Sequence, residues 1–202
     1  MPSVDYQVSA SADDADEVLV VSDRVVSITS APLRNVDAAD EWDGVRFQGV
    51  TIPDGATITS AYLTLYFPAP TQDEPDITIY GQDNGNPGQF TTDNANISSR
   101  TRTSASVDWG SANLGSSARW VNTSNLSTIV QELVDNYSYA SGASMVFVWK
   151  SRANDGARDC TVQSYDVSAS EAAKLHIEYT ESGGGGGSAV PVIMNSYRQR
   201  RA

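Results

Sequence analysis

Bond-breaking chemistry needs a nucleophile with a base beside it or a matched pair of carboxylates, and this sequence is poor in the first. It has one histidine and one cysteine. His176 lies in Lys174-Leu-His-Ile-Glu-Tyr179, where strand alternation sends Leu175, Ile177 and Tyr179 to one side and His176 to the other with Lys174 and Glu178. That is a solvated strand position rather than a general base. Cys160 precedes Thr161-Val162 with no histidine or lysine near it in sequence to favour the thiolate, and it reads as a structural thiol. Acidic side chains number 25, so some close pair is unavoidable and abundance alone does not mark a glycosidase-type site. The chain is expected to be non-enzymatic, with no catalytic residue assigned.

The same acids could hold a cation. Asp13-Asp14-Ala15-Asp16-Glu17 puts four acids in five residues, and Asp83-Asn84-Gly85-Asn86 and Asn154-Asp155-Gly156 with Asp159 are further oxygen-rich stretches. None reproduces the twelve-residue calcium loop with its closing glutamate. Turns and a solvated acidic edge account for them, so no metal ligand is assigned and no cofactor is expected beyond one structural calcium, which stays open. Tryptophan offers a third chemistry, because sugar rings stack on exposed indoles. Trp149 alternates with Met145 and Phe147 and reads as core. Trp42 and Trp109 sit in polar, loop-like surroundings, where each either offers a glycan platform or packs a loop onto a sheet.

The last segment carries a different signal. Gly183 to Gly187 is a run of five glycines, a flexible tether with no side chain to pack. Beyond it come the apolar Val190, Pro191, Val192, Ile193 and Met194, then Tyr197 and the cationic Arg198, Arg200 and Arg201. Burying three or four such side chains in a neighbour would supply several kcal/mol at ~25 cal/mol per Å², less the cost of ordering the tether. Proline suits an extended strand added to a partner's sheet edge, or a peptide laid in a groove. The alternative is a disordered tail. The chain therefore divides into a body (1–182), a glycine linker (183–187) and a C-terminal anchoring peptide (188–202).

Charge divides at the same place. Over 202 residues the net charge is −12, but residues 1–182 hold all 25 acids and 10 bases, for −15, while 183–202 hold three arginines and no acid, for +3. An acidic body repels a phosphate backbone, so nucleic-acid binding by the body is not expected. No apolar run approaches the ~18 residues of a bilayer span, and membrane crossing is not expected either. The first residues have neither the basic stretch nor the apolar core of a secretion signal. Synthesis in a host cytoplasm is the expectation, with any exit taking place inside a larger object.

Strands must carry these residues, because short alternating or β-branched runs recur between turn residues. They are read at Val18–Val21, Val25–Ile28, Gly44–Val50, Ile58–Phe67, Ile77–Tyr80, Ser144–Lys150, Cys160–Tyr165 and Leu175–Tyr179. Ile52-Pro53-Asp54-Gly55 supplies a turn before the longest of them, in which Ala61, Leu63 and Leu65 share one face and Tyr62, Thr64 and Tyr66 the other. Residues 95–122, rich in Ser, Thr, Arg and Asn, read as a long crossover loop with one short strand near Val107. Leu126, Ile129, Val130, Leu133 and Val134 fall at helical spacing, with Asn125 or Ser127 to cap the start. The fold class is all-β: a jelly-roll-like antiparallel β-sandwich with one short helix.

The order of these elements resembles the DNRLRE-type domain, a β-sandwich related to jelly-roll carbohydrate-binding modules. The resemblance covers about residues 5 to 181. It rests on Val45-Arg46-Phe47 leading to Ile52-Pro53-Asp54-Gly55 and the strand to Leu65, on Trp109, on Leu126–Leu133, and on Ala173–Tyr179. Such domains occur in secreted polysaccharide-degrading enzymes, cell-surface proteins and phage virion proteins. The resemblance, with the tether and the apolar-basic peptide, implies a non-enzymatic structural protein of a tailed-phage virion, as a head decoration or tail-associated subunit. It would dock on other virion proteins through residues 188–202, or form a homo-oligomer by tail exchange. The competing expectation is a carbohydrate-binding module that recognises a glycan through Trp42 or Trp109, and a third is a polysaccharide-acting enzyme with a carboxylate pair.

Overall fold

In the computed structural model, which describes residues 1–20, 22–29, 33–36, 41–68, 75–110, 117–152 and 159–181, the alternating stretch that ends at Phe67 forms the longest strand. Its Ala61, Leu63, Leu65 and Phe67 are buried, while Tyr62, Thr64 and Tyr66 are only partly covered. In chain order the strands are β1 (Ser3–Gln7), β2 (Asp14–Val20), β3 (Asp23–Ser27), β4 (Leu33–Val36), β5 (Trp42–Val50), β6 (Thr57–Phe67), β7 (Asp76–Gln82), β8 (Arg102–Gly110) and β9 (Arg119–Asn122). The helix α1 (Ser127–Asp135) follows, then β10 (Ala143–Ser151), β11 (Asp159–Val162) and β12 (Lys174–Thr180). A 3₁₀ turn, Ser11–Asp13, joins β1 to β2.

Two antiparallel sheets face each other as a β-sandwich. One has the strand order β1-β12-β6-β9 and the other β3-β2-β5-β10-β7-β8, with a small two-stranded sheet of β4 and β11 beside them. Between the large sheets lie Ala61, Leu63, Leu65, Phe67, Leu175 and Ile177 from one side, and Val45, Phe47, Phe147, Trp149, Ile77 and Ile79 from the other. The apolar stripe of α1, Ile129, Val130, Leu133 and Val134, joins this core. The N-cap position of the helix is Leu126, with no side-chain cap, rather than the expected Asn125 or Ser127; Asn125 Oδ1 instead accepts from Ser127 N–H at 2.9 Å and Ala61 N–H at 3.0 Å, which ties the start of the helix to β6. Gly81 lets the helix approach, since a Cβ there would lie 2.9 Å from Ile129 Cγ2. In the turn before β6, Gly55 has φ +70° and Ala56 N–H donates to Pro53 at 3.2 Å.

A second apolar layer covers the outer face of the six-stranded sheet. Phe90 and Ile97, from the segment between β7 and β8, pack there with Ala15, Val26, Trp42, Val146 and Val148. β10 is thus buried on both faces, which accounts for its unbroken apolar run. Arg100 fastens this layer: it donates to the carbonyls of Gly88, Gln89 and Asn96 and to Gln82 Oε1, and its guanidinium lies 4.4 Å from the Phe90 ring centroid. Glu17, fully buried, accepts from Ile97 N–H at 2.7 Å and Ser98 N–H at 2.9 Å and pairs with Arg24 at 3.3 Å.

The expected crossover loop over 95–122 with one short strand near Val107 is corrected in extent: that strand is the nine-residue β8, and the four-residue β9 follows it. β8 alternates, but its inward set begins with Thr103 and Ala105 before Val107 and Trp109, so its hydrophobic period is weak. β1 and β4 are likewise short strands with few apolar residues. The linker at 183–187 and the peptide at 188–202 lie outside the described residues. Among those described, no helix is long and apolar enough to cross a membrane.

Candidate functional site

Pairing of β12, β6 and β9 lays out the outer face of the four-stranded sheet. Register places Asp5, His176 and Tyr62 in one row, then Gln7, Lys174, Thr64 and Asn122, then Tyr66 and Trp120. With a rise of ~3.4 Å per residue, Tyr62 and Tyr66 stand about 14 Å apart along β6. The face thus has an aromatic station at each end and hydrogen-bonding side chains between them.

At one end the rings of Tyr66 and Trp120 meet edge to face at 5.1 Å and 66°. Trp120 is 37% exposed. Lys174 Nζ lies 4.0 Å from the Trp120 ring centroid, a cation–π contact that holds the indole against the sheet. Partial burial, then the charge of Glu171 and a hydrogen bond to it, push the Tyr66 phenol above its ordinary pKa. At the other end His176 stacks on Tyr62 at 4.8 Å and 24°. Its Nδ1 lies 2.7 Å from Asp5 Oδ1 and its Nε2 3.5 Å from Glu178 Oε1. His176 thus faces away from the core beside Lys174 and Glu178.

The two tryptophans expected to form a surface platform do not form one. Trp42 is 8% exposed and Trp109 4%. Trp42 opens β5, on the covered face of the six-stranded sheet, where Arg102 and Lys150 lie 4.8 and 5.6 Å from its ring centroid. Trp109 lies near the end of β8 and points into the sandwich, 6.3 Å from Phe67. The polar neighbours that suggested loops, Asp43 and Asp108, belong to the same strands, and such neighbours alternate in facing. Sequence reasoning passed over Trp120, because its outward direction follows from pairing with Tyr66 across the sheet.

In the acidic run at 13–17, Asp13, Asp14 and Glu17 are taken up by protein donors. Asp13 accepts from Arg46 and Gln48, each at 2.6 Å. Arg46 also donates to the Pro87 carbonyl and Ser144 Oγ, so the arginine of Val45-Arg46-Phe47 clamps three segments. Asp14 accepts from Tyr165 N–H at 2.7 Å, and burial, with Asp166 and Asp13 nearby, raises its carboxyl to about 7. Asn84 Oδ1 and Asn86 Oδ1 accept from the backbone N–H groups of Asn86 and Ser144. Among the described residues no group of three acidic, His or Cys side chains is placed to hold a metal ion. Asn154, Asp155 and Gly156 lie outside those residues, as do all the anchor residues, Val190 to Met194, Tyr197, Arg198, Arg200 and Arg201. Cys160 is buried in the core.

No family model matches the sequence, and no curated protein does. Among solved structures, the chain is similar to an exo-β-1,3-galactanase from Phanerochaete chrysosporium determined with galactose, at 11% identity and a TM-score of 0.36. That match covers 88% of this chain and 30% of the galactanase chain.

Proposed function

We propose that this β-sandwich is a non-catalytic recognition module that binds a glycan on the outer face of its four-stranded sheet. The observation that carries the reading is the solvent-facing Trp120, braced by Tyr66 and Lys174, on the same face as Tyr62. Aromatic faces take the C–H side of a sugar ring, and Thr64, Asn122, Asp5 and Glu178 supply donors and acceptors for its hydroxyls. A glycan array with the full chain tests it, followed by titration of the best ligand. Trp120→Ala should lower affinity at least tenfold while Trp42→Phe leaves it unchanged. A silent array, or binding indifferent to Trp120, removes the reading.

A second reading is that the chain is a structural subunit of a virion, such as a head-decoration or tail-associated protein of a tailed phage. The separation of an acidic body from an apolar, cationic peptide at the glycine run supports it, as does the resemblance to domains found in virion proteins. The peptide would anchor the subunit and the sandwich would face outward. Deleting 183–202 should then prevent incorporation while the sandwich keeps its thermal unfolding transition. Undiminished incorporation rules out the anchor.

A further inference from the structure

Among the described residues, the β2–β3 hairpin holds three of the exposed large apolar side chains. Leu19, Val20 and Val25 are 43, 49 and 50% exposed, and all three lie on this hairpin. β3 is also the edge strand of the six-stranded sheet, paired with β2 on one side only among the described residues. Exposed edges with apolar side chains invite an added strand, and most proteins blunt them with charge or proline. Here Val25 stands at the middle of the edge.

The register shows where the chain's own C-terminal segment leaves the sandwich. β12 ends at Thr180, paired with Thr57 at the start of β6. β6 begins just after the turn that follows Val50, so this is the Val50 end of the sandwich. The β2–β3 hairpin projects from the opposite end, because Glu17 pairs with Trp42 and β2 continues three residues further. The eight-residue step from Val50 to Trp42, plus one row to Val25, is about 30 Å at ~3.3 Å per residue. The ten steps from Thr180 to Val190 span at most about 36 Å fully extended, and a flexible chain of that length averages about 17 Å. The segment would need most of its reach to meet its own β3, whereas the β3 of another molecule carries no such demand.

We infer that Val190–Met194 of one molecule adds as an extended strand to the β3 edge of a second copy of this chain, beside Val20 and Val25, which share one face of the hairpin. The apolar run supplies alternating side chains that meet Val20 and Val25 on one face and Leu19 on the other, and the three arginines after it meet a body of net charge −15. Donor segment and acceptor edge are different surfaces at opposite ends of the sandwich, so each contact is heterologous, and copies either exchange segments reciprocally in a dimer or propagate further. The inference rests on the second reading above in using this peptide as the anchor, and it names the partner.

Sedimentation of the full-length chain tests it against two full-length variants, Val25→Lys in the acceptor edge and Ile193→Asp in the donor segment. Both positions are chosen to spare the core, and each variant's thermal unfolding is checked. The unsubstituted chain should grow in mass with concentration, to a dimer at least. Each variant alone should stay monomeric, and an equal mixture should give one-to-one complexes, because one variant still donates and the other still accepts. A monomeric unsubstituted chain, association unchanged by either variant, or a mixture that stays monomeric overturns the inference. If Ile193→Asp abolishes incorporation into a larger particle while the unsubstituted chain alone is monomeric, the peptide anchors on a different protein: the inference falls and the second reading stands.

Discussion

The ammonium of Lys174 lies 4.0 Å from the centroid of the Trp120 ring, although the two residues sit on strands that β6 separates. The contact fixes the indole that the glycan reading depends on. An exposed cation–π pair contributes about 0.5–1 kcal/mol. Lys174→Ala is therefore expected to weaken glycan binding about two- to fivefold, well short of the loss in Trp120→Ala. Titration calorimetry of the two variants against one ligand checks the ranking, and equal losses would mean that Lys174 touches the ligand itself.

Stability should sort the tryptophans the opposite way. Trp42 and Trp109 are buried, and truncating a buried Trp costs about 3–5 kcal/mol. Trp42→Ala and Trp109→Ala should lower the urea midpoint sharply. Trp120→Ala should shift it little, because a partly exposed edge-strand side chain forfeits only part of that burial.

How much of this could be read from the sequence depended on whether a residue's partner was local. The faces of β6, β10 and β12 follow from alternation within each strand, and the α1 stripe from its own spacing, so all were legible. The direction of Trp120 was not, because Arg119–Asn122 is a short edge strand whose facing is set by Tyr66, far back in the chain. Trp42 and Trp109 were misread for a related reason. Polar neighbours along the chain say nothing about the other side of a strand, and the layer that covers Trp42 comes from Phe90 and Ile97. β8 was read only as one short strand near Val107, because a strand with Thr103 and Ala105 facing inward has little hydrophobic contrast.

Asp14 should leave a pH signature. Its carboxyl is raised from 3.8 to about 7, by burial first, so the folded protein holds that proton more tightly than the unfolded chain does. This group's contribution to stability therefore falls as pH rises from about 4 to about 7, then stays flat. Asp14→Asn keeps an oxygen for Tyr165 N–H without the buried charge. The variant should match the parent near pH 4 and exceed it at pH 8, by an amount on the order of a few kcal/mol. Urea unfolding at the two pH values measures it, and a constant difference between them would contradict the assignment.

Gly44 should tolerate no side chain. A Cβ there would lie 2.5 Å from Phe90 Cζ, which seats that ring on the sheet. Gly44→Ala is expected to cost about 1–3 kcal/mol by overpacking. Combining it with Phe90→Leu should recover part of the loss, a coupling that a double-mutant cycle reads directly. Additive losses would show that the ring can move aside.

Pairing of β1 with β12 brings Ser3 opposite Glu178, and this sets a timetable for the growing polypeptide. Until the ribosome has released Lys174 to Thr180, β1 has no strand to pair with among the described residues and β6 is bare along the edge that β12 will occupy. The sheet that displays Trp120 is thus assembled last, through contacts of very high sequence separation, which slows folding. During that interval Leu63 and Leu65 lack Leu175 and Ile177 beside them, leaving the nascent protein open to chaperones and to self-association.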